Sequence, residues 1–547
     1  MPIPQTPKEI KRHFDLLKGQ RAADEVTWQE ICDDGLGRKN FTRNQGNVYA
    51  QGKRTSLLYD NTMQVQNDLL AWALHNLLTS TTLRWAHLEP EDERLLESQE
   101  NAEWFAEAED IFFRHVERPE AGFHPQAGEV YNDLCAFGNG SLASLYVPAE
   151  GLLFQAMPLS ETFIDLDAGR RVWMIFRYFP LAAYHVQLQY GEGISRKADE
   201  FVKSGRLSEN VWILQSFTPN PEYRGDRFGA GARRFLSVTI EYEQESILRK
   251  RYHDELPIAF VRWNMDPGEI YGRGPGVQAL SDQQMLSEMQ RTTLMGAQMS
   301  VLPPMRVPDN GAVVQLDMSP AGVTTVRPGT GDDLRPLFDR NDMNVDIGVT
   351  MIQQVQGRVR AAYHAELLQI VQDPRMSPTQ VLEIAARAQQ ILSPIVGRIQ
   401  SELLEPVTDR CFNLLLRNGW MPPIPAGLSG QQIRIRFVSP VQRAQRAGEA
   451  NALLNALNAT LQLAQLDPSA LDSIEADEVV RFLFDAWGVP PHLLRDRDRV
   501  QALRRARAEQ AKVEDDQGAA NEQLKAAGAG ASGIGNLIKA LQGGRAA

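Results

Sequence analysis

One stretch of this chain, Tyr271 to Gln380, constrains its fold more than any other, because it reads as two helices with a small β-type insertion between them. It opens Tyr271-Gly272-Arg273-Gly274-Pro275-Gly276. Ser281 and Gln284, three apart, then have the form of a capping box at a helix start. Met285, Leu286, Met289 and Met295 follow at spacings that mostly return to one helical face. Pro303-Pro304 stops that helix. The segment to Arg340 is dense in proline and glycine and holds two β-type runs, Val313–Leu316 and Val323–Val326. A second helical run carries Val345, Ile352, Val355 and Val359, with Gln353, Gln354 and Gln356 among them. Gln372-Asp373-Pro374-Arg375-Met376 is a short polar loop, and Ser377-Pro378-Thr379-Gln380 starts another helix with proline at its first position.

The remainder divides by pattern. Helical periodicity predicts short helices over Thr6–Leu17 and Ala23–Ile31, and longer ones over Asp60–Thr79, Pro90–Val116 and Pro125–Phe137. The loop between the second and third holds Arg38, Lys39, Arg43, Lys53 and Arg54. It reads either as a solvated loop or as a contact to DNA or to a neighbouring subunit. β-type runs follow at Leu142–Tyr146, Leu152–Ala156, Thr162–Leu166, Val172–Phe176, Val211–Phe217, Phe235–Glu241 and Ile258–Trp263, with a helix over Pro180–Tyr190. Beyond the central stretch a long apolar-striped helix runs from Thr379 to Arg417, with kinks expected at Pro394 and Pro406. A strand with one basic face covers Gln432–Val438. Helices over Val441–Leu466, Asp477–Trp487 and Leu493–Lys512 come next, then an Ala/Gly-rich tail. Helices and strands without regular alternation indicate an α+β chain rather than a doubly wound parallel sheet.

Chemistry-bearing motifs are scarce. There is no GxxxxGK[ST] phosphate loop, HExxH or GxSxG, and the nine histidines show no ligand spacing. Pro275 removes an amide that a nucleotide loop at Gly272–Gly276 would need, so that segment reads as a structural turn. Cys32, Cys135 and Cys411 lie far apart without CxxC spacing, which predicts small buried thiols. No enzyme, metal or cofactor is expected. Nor does any window approach the roughly 18 apolar residues of a membrane span, and the N-terminus lacks an apolar signal core. A net charge of −12 argues against a simple nucleic-acid binder, yet suits a wall past which a duplex slides.

The order helix, β-type insertion, returning helix, loop and long helix, with Tyr271-Gly272-Arg273 ahead and Pro374-Arg375-Met376-Ser377 behind, resembles the portal, or head-to-tail connector, proteins of short-tailed bacteriophages. The resemblance implies the portal fold: a wing (residues 1–270), a first stem helix (271–301), a clip (302–341) and a second stem helix (342–366). A tunnel loop (367–378), a long kinked wing helix and strand (379–440), crown or barrel helices (441–512) and the tail (513–547) complete it. It further implies a ring of about twelve subunits at one capsid vertex, through which double-stranded DNA is packaged and ejected. The implied partners are scaffolding and major capsid proteins, the terminase large subunit, which would supply ATP hydrolysis, and the tail adaptor. Assembly would take place in the bacterial host cytoplasm. Gln372, Asp373, Pro374, Arg375, Met376 and Ser377 would form the tunnel loop, Arg375 meeting either the phosphate backbone or an acidic group of the next subunit. Gln353, Gln354, Gln356, Arg358 and Arg360 would face the channel or a neighbouring subunit. Arg306, Asp309, Arg327, Asp332, Asp333 and Arg335 would lie in the docking clip. Arg495, Arg497, Arg499, Arg504, Arg505 and Arg507 would make a basic crown helix. Two rival classes remain: a metal-dependent nuclease or nucleotidyl transferase on phage DNA, using acidic pairs such as Asp332-Asp333 or Asp515-Asp516, and an internal head or scaffold protein.

Overall fold

A computed structural model describes residues 3–37, 58–302, 304–308, 319–326, 335–336, 345–365, 392–428, 433–437, 449–460, 474–486 and 499–510, with 82–83, 93, 96–97, 149, 192, 225–228, 320–321, 451 and 508 excepted. The chain divides into two compact units. One holds residues 1–87, 110–421 and 435–445; the other holds 88–109, 422–434 and 446–547.

The larger unit begins with α1 (Pro7–Glu30), a single helix where the polar stretch around Gly19 predicts two. Thr6 caps it and Glu9 reaches back to the Thr6 amide, a capping box with proline in the first turn. A wide π-turn, Ile31–Leu36, ends it. α2 (Thr62–Leu78) follows; β1 (Ala86–Pro90) and α3 (Gln99–Val116), next in sequence, are each divided between the two units. The helix expected from Pro90 therefore starts nine residues later, behind a strand. α4 (Phe123–Phe137) ends at Gly138, whose φ of 78° reverses the chain into β2 (Asn139–Val147). β2 lies between β3 (Gly151–Ala156) and β9 (Ile258–Arg262), antiparallel to both.

The second sheet is an antiparallel meander of five strands, β4 (Thr162–Leu166), β5 (Val172–Ala182), β6 (Asn210–Pro219), β7 (Phe235–Glu241) and β8 (Ile247–His253). The alternation of strand side chains sorts its residues between two cores. Ile10, Phe14 and Leu17 of α1 cover one face with Phe163, Met174, Phe176, Leu214, Leu236, Val238 and Ile240. On the other, α5 (Ala183–Tyr190) and α6 (Arg196–Lys203) bury Ala183, Val186 and Ala198 against Val211, Ile213 and Leu248. Arg21 of α1, fully buried, donates to the carbonyls of Leu159, Ser160 and Thr162 at 2.7 to 3.1 Å and to Glu25. One guanidinium thus satisfies the irregular turn that introduces the sheet.

α7 (Pro275–Val301) and α8 (Val345–Ala362) come next, with β10 (Met305–Pro308), β11 (Val323–Val326) and β12 (Arg335–Pro336) between them in sequence. β10 pairs parallel with β11 and antiparallel with β12. The helical path resumes over residues 392–399, widens to a π-turn at Gln400–Leu404, and continues as α9 (Glu405–Arg417). Pro406 cannot donate to the residue four back. The helix absorbs the loss by widening just before it, with Glu405 N–H bonded to the Gln400 carbonyl. β13 (Ile433–Phe437) follows. In the smaller unit, α10 (Ala476–Ala486) presents Asp477 to Arg504, on the helical residues 499–507, in a two-point ion pair at 2.6 and 2.7 Å. Among the described residues, helices with mostly antiparallel sheets and no βαβ repeat make this an α+β fold.

Candidate functional site

The site begins where α7 leaves the body. The helix starts at Pro275 with Gly274 as its cap, six residues before the Ser281 start that the local pattern predicts. Ser281 is exposed within the helix, and Gln284 donates to Asp34 at 2.9 Å instead of reaching back to a cap. The reason is tertiary. A Cβ on Gly274 would stand 2.6 Å from the Gly138 amide nitrogen, and one on Gly276 would stand 2.2 Å from the Ala136 carbonyl. The glycines of Tyr271–Gly276 therefore exist to let two backbones touch. Asn139 fastens the contact, donating to the Gly272 carbonyl at 2.9 Å and accepting from its amide at 2.8 Å. Tyr271, buried against Trp28, accepts from the Ile164 amide.

From this root α7 and α8 run side by side. Asp282 pairs with Arg358 at 3.0 Å, Leu286 packs with Ile352 and Val355, and Gly348 lies against Thr293. Rising numbers on α7 meet falling numbers on α8, so the pair is antiparallel. Gly348 permits the close approach, since a Cβ there would come 2.8 Å from the Thr293 hydroxyl. Beyond this seam the far half of the pair leaves its apolar residues in solvent. Leu294, Met295, Ile347, Val349 and Met351 are each 43 to 57% exposed, and Val301 is 72% exposed. Ile347 and Met351, four apart, share one face of α8, and Val349 lies on another; exposed apolar side chains of this size suit contact surfaces.

The glutamines and arginines singled out on α8 separate into two sets. Gln353, Gln354 and Arg360 are exposed. Gln356 donates to Asp60 at 2.9 Å and Arg358 holds Asp282, both within the chain. Of the clip residues, Arg306 lies on β10 and Arg335 on β12, opposite one another in the antiparallel register. Asp309, Arg327, Asp332 and Asp333 lie outside the described residues, as do the run Val313–Leu316, the whole loop Gln372 to Ser377, the basic loop from Arg38 to Arg54, and the tail with Asp515-Asp516. Of the crown arginines, Arg499, Arg504, Arg505 and Arg507 are exposed on the last described helix, and Arg495 and Arg497 fall outside it.

Sequence reasoning missed Asp60, on which α2, α7 and α8 converge, and the Arg262–Glu402 clamp between β9 and the π-turn. Neither carries a local signal, because the partners lie 140 to 296 residues apart. The three cysteines are free and buried, and burial pushes the Cys135 and Cys411 thiols well up. Among the described residues no group of three or more His, Cys, Asp or Glu side chains is placed to hold a metal ion. No described helix is long and apolar enough to cross a membrane.

The arrangement is thus a two-helix hairpin rooted in an α+β body, with a small β insertion between the two helices in sequence. Residues 7–494 match the family described as bacteriophage head to tail connecting protein, and the chain belongs to that family. It is 23% identical over 522 residues to a portal protein of Salmonella phage epsilon15, covering 93% of this chain and 92% of that one. A probable portal protein of Bordetella phage BPP-1 is 24% identical over 522 residues, covering 92% and 91%. Among solved structures, a chain of the virion of a native gene transfer agent particle aligns over 77% of this chain and 89% of its own. Its identity is 12% and its TM-score 0.33, too low to bear on the argument.

Proposed function

We infer that this chain is the portal protein of a phage, a structural component that forms a ring at the head–tail vertex and passes double-stranded DNA in both directions. The observation that carries the reading is the α7–α8 pair with its exposed apolar far half, in a chain of the head to tail connecting family. A heterologous, closing interface needs two different faces on each subunit, and the hairpin supplies the apolar one. Gln353, Gln354 and Arg360, exposed and without a bonding partner among the described residues, then line the channel or meet the next subunit. The loop Gln372 to Ser377 projects into the channel, with Arg375 against the phosphate backbone. The β10–β12 insertion is the clip that docks the terminase motor and later the tail adaptor, and the C-terminal helices form the crown. Scaffolding and major capsid proteins surround the ring during assembly in the host cytoplasm. The acidic net charge keeps the duplex from being trapped on the wall.

Two charges placed in the apolar surface, Leu294→Glu with Met351→Glu, test the reading. The variant is expected to fold, by its circular dichroism and melting curve, and to sediment as single chains where the unaltered protein sediments as rings. Rings of normal size from the variant would refute the hairpin interface. Arg375→Ala is expected to leave rings intact and to impair packaging or retention of DNA; normal packaging and retention would overturn that role.

A further inference from the structure

Asp60 is 7% exposed and stands just ahead of α2, where four donors meet it. The Thr62 amide donates to Oδ1 at 2.7 Å. Gln290 and Gln356 both donate to Oδ2, at 3.0 and 2.9 Å, and Gln283 Nε2 reaches the Asp60 main-chain carbonyl at 3.1 Å. Three of the four donors therefore come from the two hairpin helices. Gln283 and Gln290 are seven apart on α7, about two turns, which puts both on one face. Gln356 approaches from α8.

We propose that Asp60 is the positioning residue that sets the stance of the α7–α8 hairpin on the body. The glycine root and Asn139 fix where α7 leaves the body, and the apolar seam of Leu286, Met289, Ile352 and Val355 holds α8 to α7; Asp60 bonds to both helices at once, further along α7. Helix packing selects a crossing angle only to within roughly 15–20°, and hydrogen bonds of fixed geometry narrow it further. A planar amide donates along set directions, unlike a lysine ammonium, which can slide around a carboxylate while keeping its attraction. Two amides on one oxygen also fix the register of α7 against α8, since an axial slip of either helix withdraws its glutamine from Oδ2. The rim residues Asp34 and Gln284 add one further tie, from the π-turn after α1 to α7. This assignment rests on the portal reading only in treating the hairpin as the working part; the geometry belongs to a single chain.

The test is hydrogen exchange by mass spectrometry on the full-length chain, with variants Asp60→Ala, Asp60→Asn and the pair Gln290→Met with Gln356→Met. Each sample is sized before labelling so that chains are compared in the same oligomeric state. Local opening of a helix raises exchange in that helix alone. Peptides within 275–301 and 345–362 are expected to exchange several-fold faster in Asp60→Ala and in the methionine pair, with peptides of the five-stranded sheet unchanged. Asp60→Asn, which keeps one acceptor oxygen, is expected to fall between them and the unaltered chain. Combining Asp60→Ala with both methionines should add nothing further. Unchanged exchange in the hairpin, additive effects, or acceleration throughout the sheet would each overturn the proposal. An unaltered chain that never forms rings would refute the portal interface and leave this comparison intact.

Discussion

Replacing Glu402 with glutamine is expected to destabilise the larger unit by about 3 kcal/mol, far more than one carboxylate usually contributes. Glu402 sits in the π-turn and accepts from both the main chain and the guanidinium of Arg262: the amide at 2.9 Å, Nε at 3.2 Å and Nη2 at 2.6 Å. The Arg262 side chain is only 3% exposed and Glu402 20%. Removing one member of a buried pair leaves a buried charge and costs roughly 3–5 kcal/mol. Glutamine keeps one acceptor oxygen and part of the site reaches water, which lowers the figure to about 3 kcal/mol. A unit of this size loses about 1 °C of melting temperature per kcal/mol, so scanning calorimetry of the full chain should show a drop of about 3 °C. Glu120→Gln serves as the control, because its pair with Arg118 spans 3.6 Å in solvent and should move the midpoint by well under 1 °C. Replacing Arg262 and Glu402 together with methionine should recover most of the loss, as apolar packing takes the place of the pair. A Glu402→Gln midpoint indistinguishable from that of Glu120→Gln would mean that the Arg262–Glu402 pair contributes no more than a surface pair.

Four other substitutions probe separate parts of the same physics. Gly138→Ala should cost more than Gly205→Ala although the two have nearly the same φ, 78° and 77°. The first meets backbone at 2.3 Å and the second meets nothing, so Gly205→Ala should lose about 1–2 kcal/mol and Gly138→Ala clearly more, read from the same melting curves. His253 is held down to about 4, first by burial and then by Arg410, Arg251 and Arg233. Its unfolded imidazole takes a proton near 6.5, so its contribution is full above that pH and is lost as pH falls toward 4, by about 3 kcal/mol at most. His253→Gln should flatten that part of the stability profile. Asp409 is raised to about 6, by burial first and then by Glu405, which gives the opposite sign: the folded chain holds this proton more tightly, and stability declines as pH rises from about 4 through 6. Asp409→Asn should therefore stabilise the chain at pH 7 and make little difference at pH 4.

Much of this fold was legible because its strongest elements are periodic. Thr162–Leu166 and Phe235–Glu241 match the expected runs residue for residue, and α2 and α4 fall within two residues of theirs at each end. Errors came where distant contacts override local pattern. Ser281-Asp282-Gln283-Gln284 has the form of a helix start, but the glycines packed on α4 begin the helix at Pro275, and Gln283 and Gln284 bond to distant residues. α1 passes through Gly19 unbroken because Ile10, Phe14 and Leu17 before it and Arg21 after it are all held by the sheet. β8 escaped notice since Arg249-Lys250-Arg251 reads as a charged surface, which is also how an edge strand is kept from pairing. The hairpin was visible as two striped helices flanking a proline-rich insertion. Its joint at Asp60 was not, because a carboxylate ahead of a helix looks like a turn residue until glutamines 223 to 296 positions away are brought to it.

Whether the exposed half of the α7–α8 hairpin closes a ring can be read from cryo-electron microscopy of the purified protein. Closed rings of one symmetry around a central hole are expected, with Leu294, Met295, Ile347, Val349 and Met351 buried against the subunits on either side. Closed rings in which these side chains still face solvent would contradict that expectation, and so would a two-fold dimer built on any other surface.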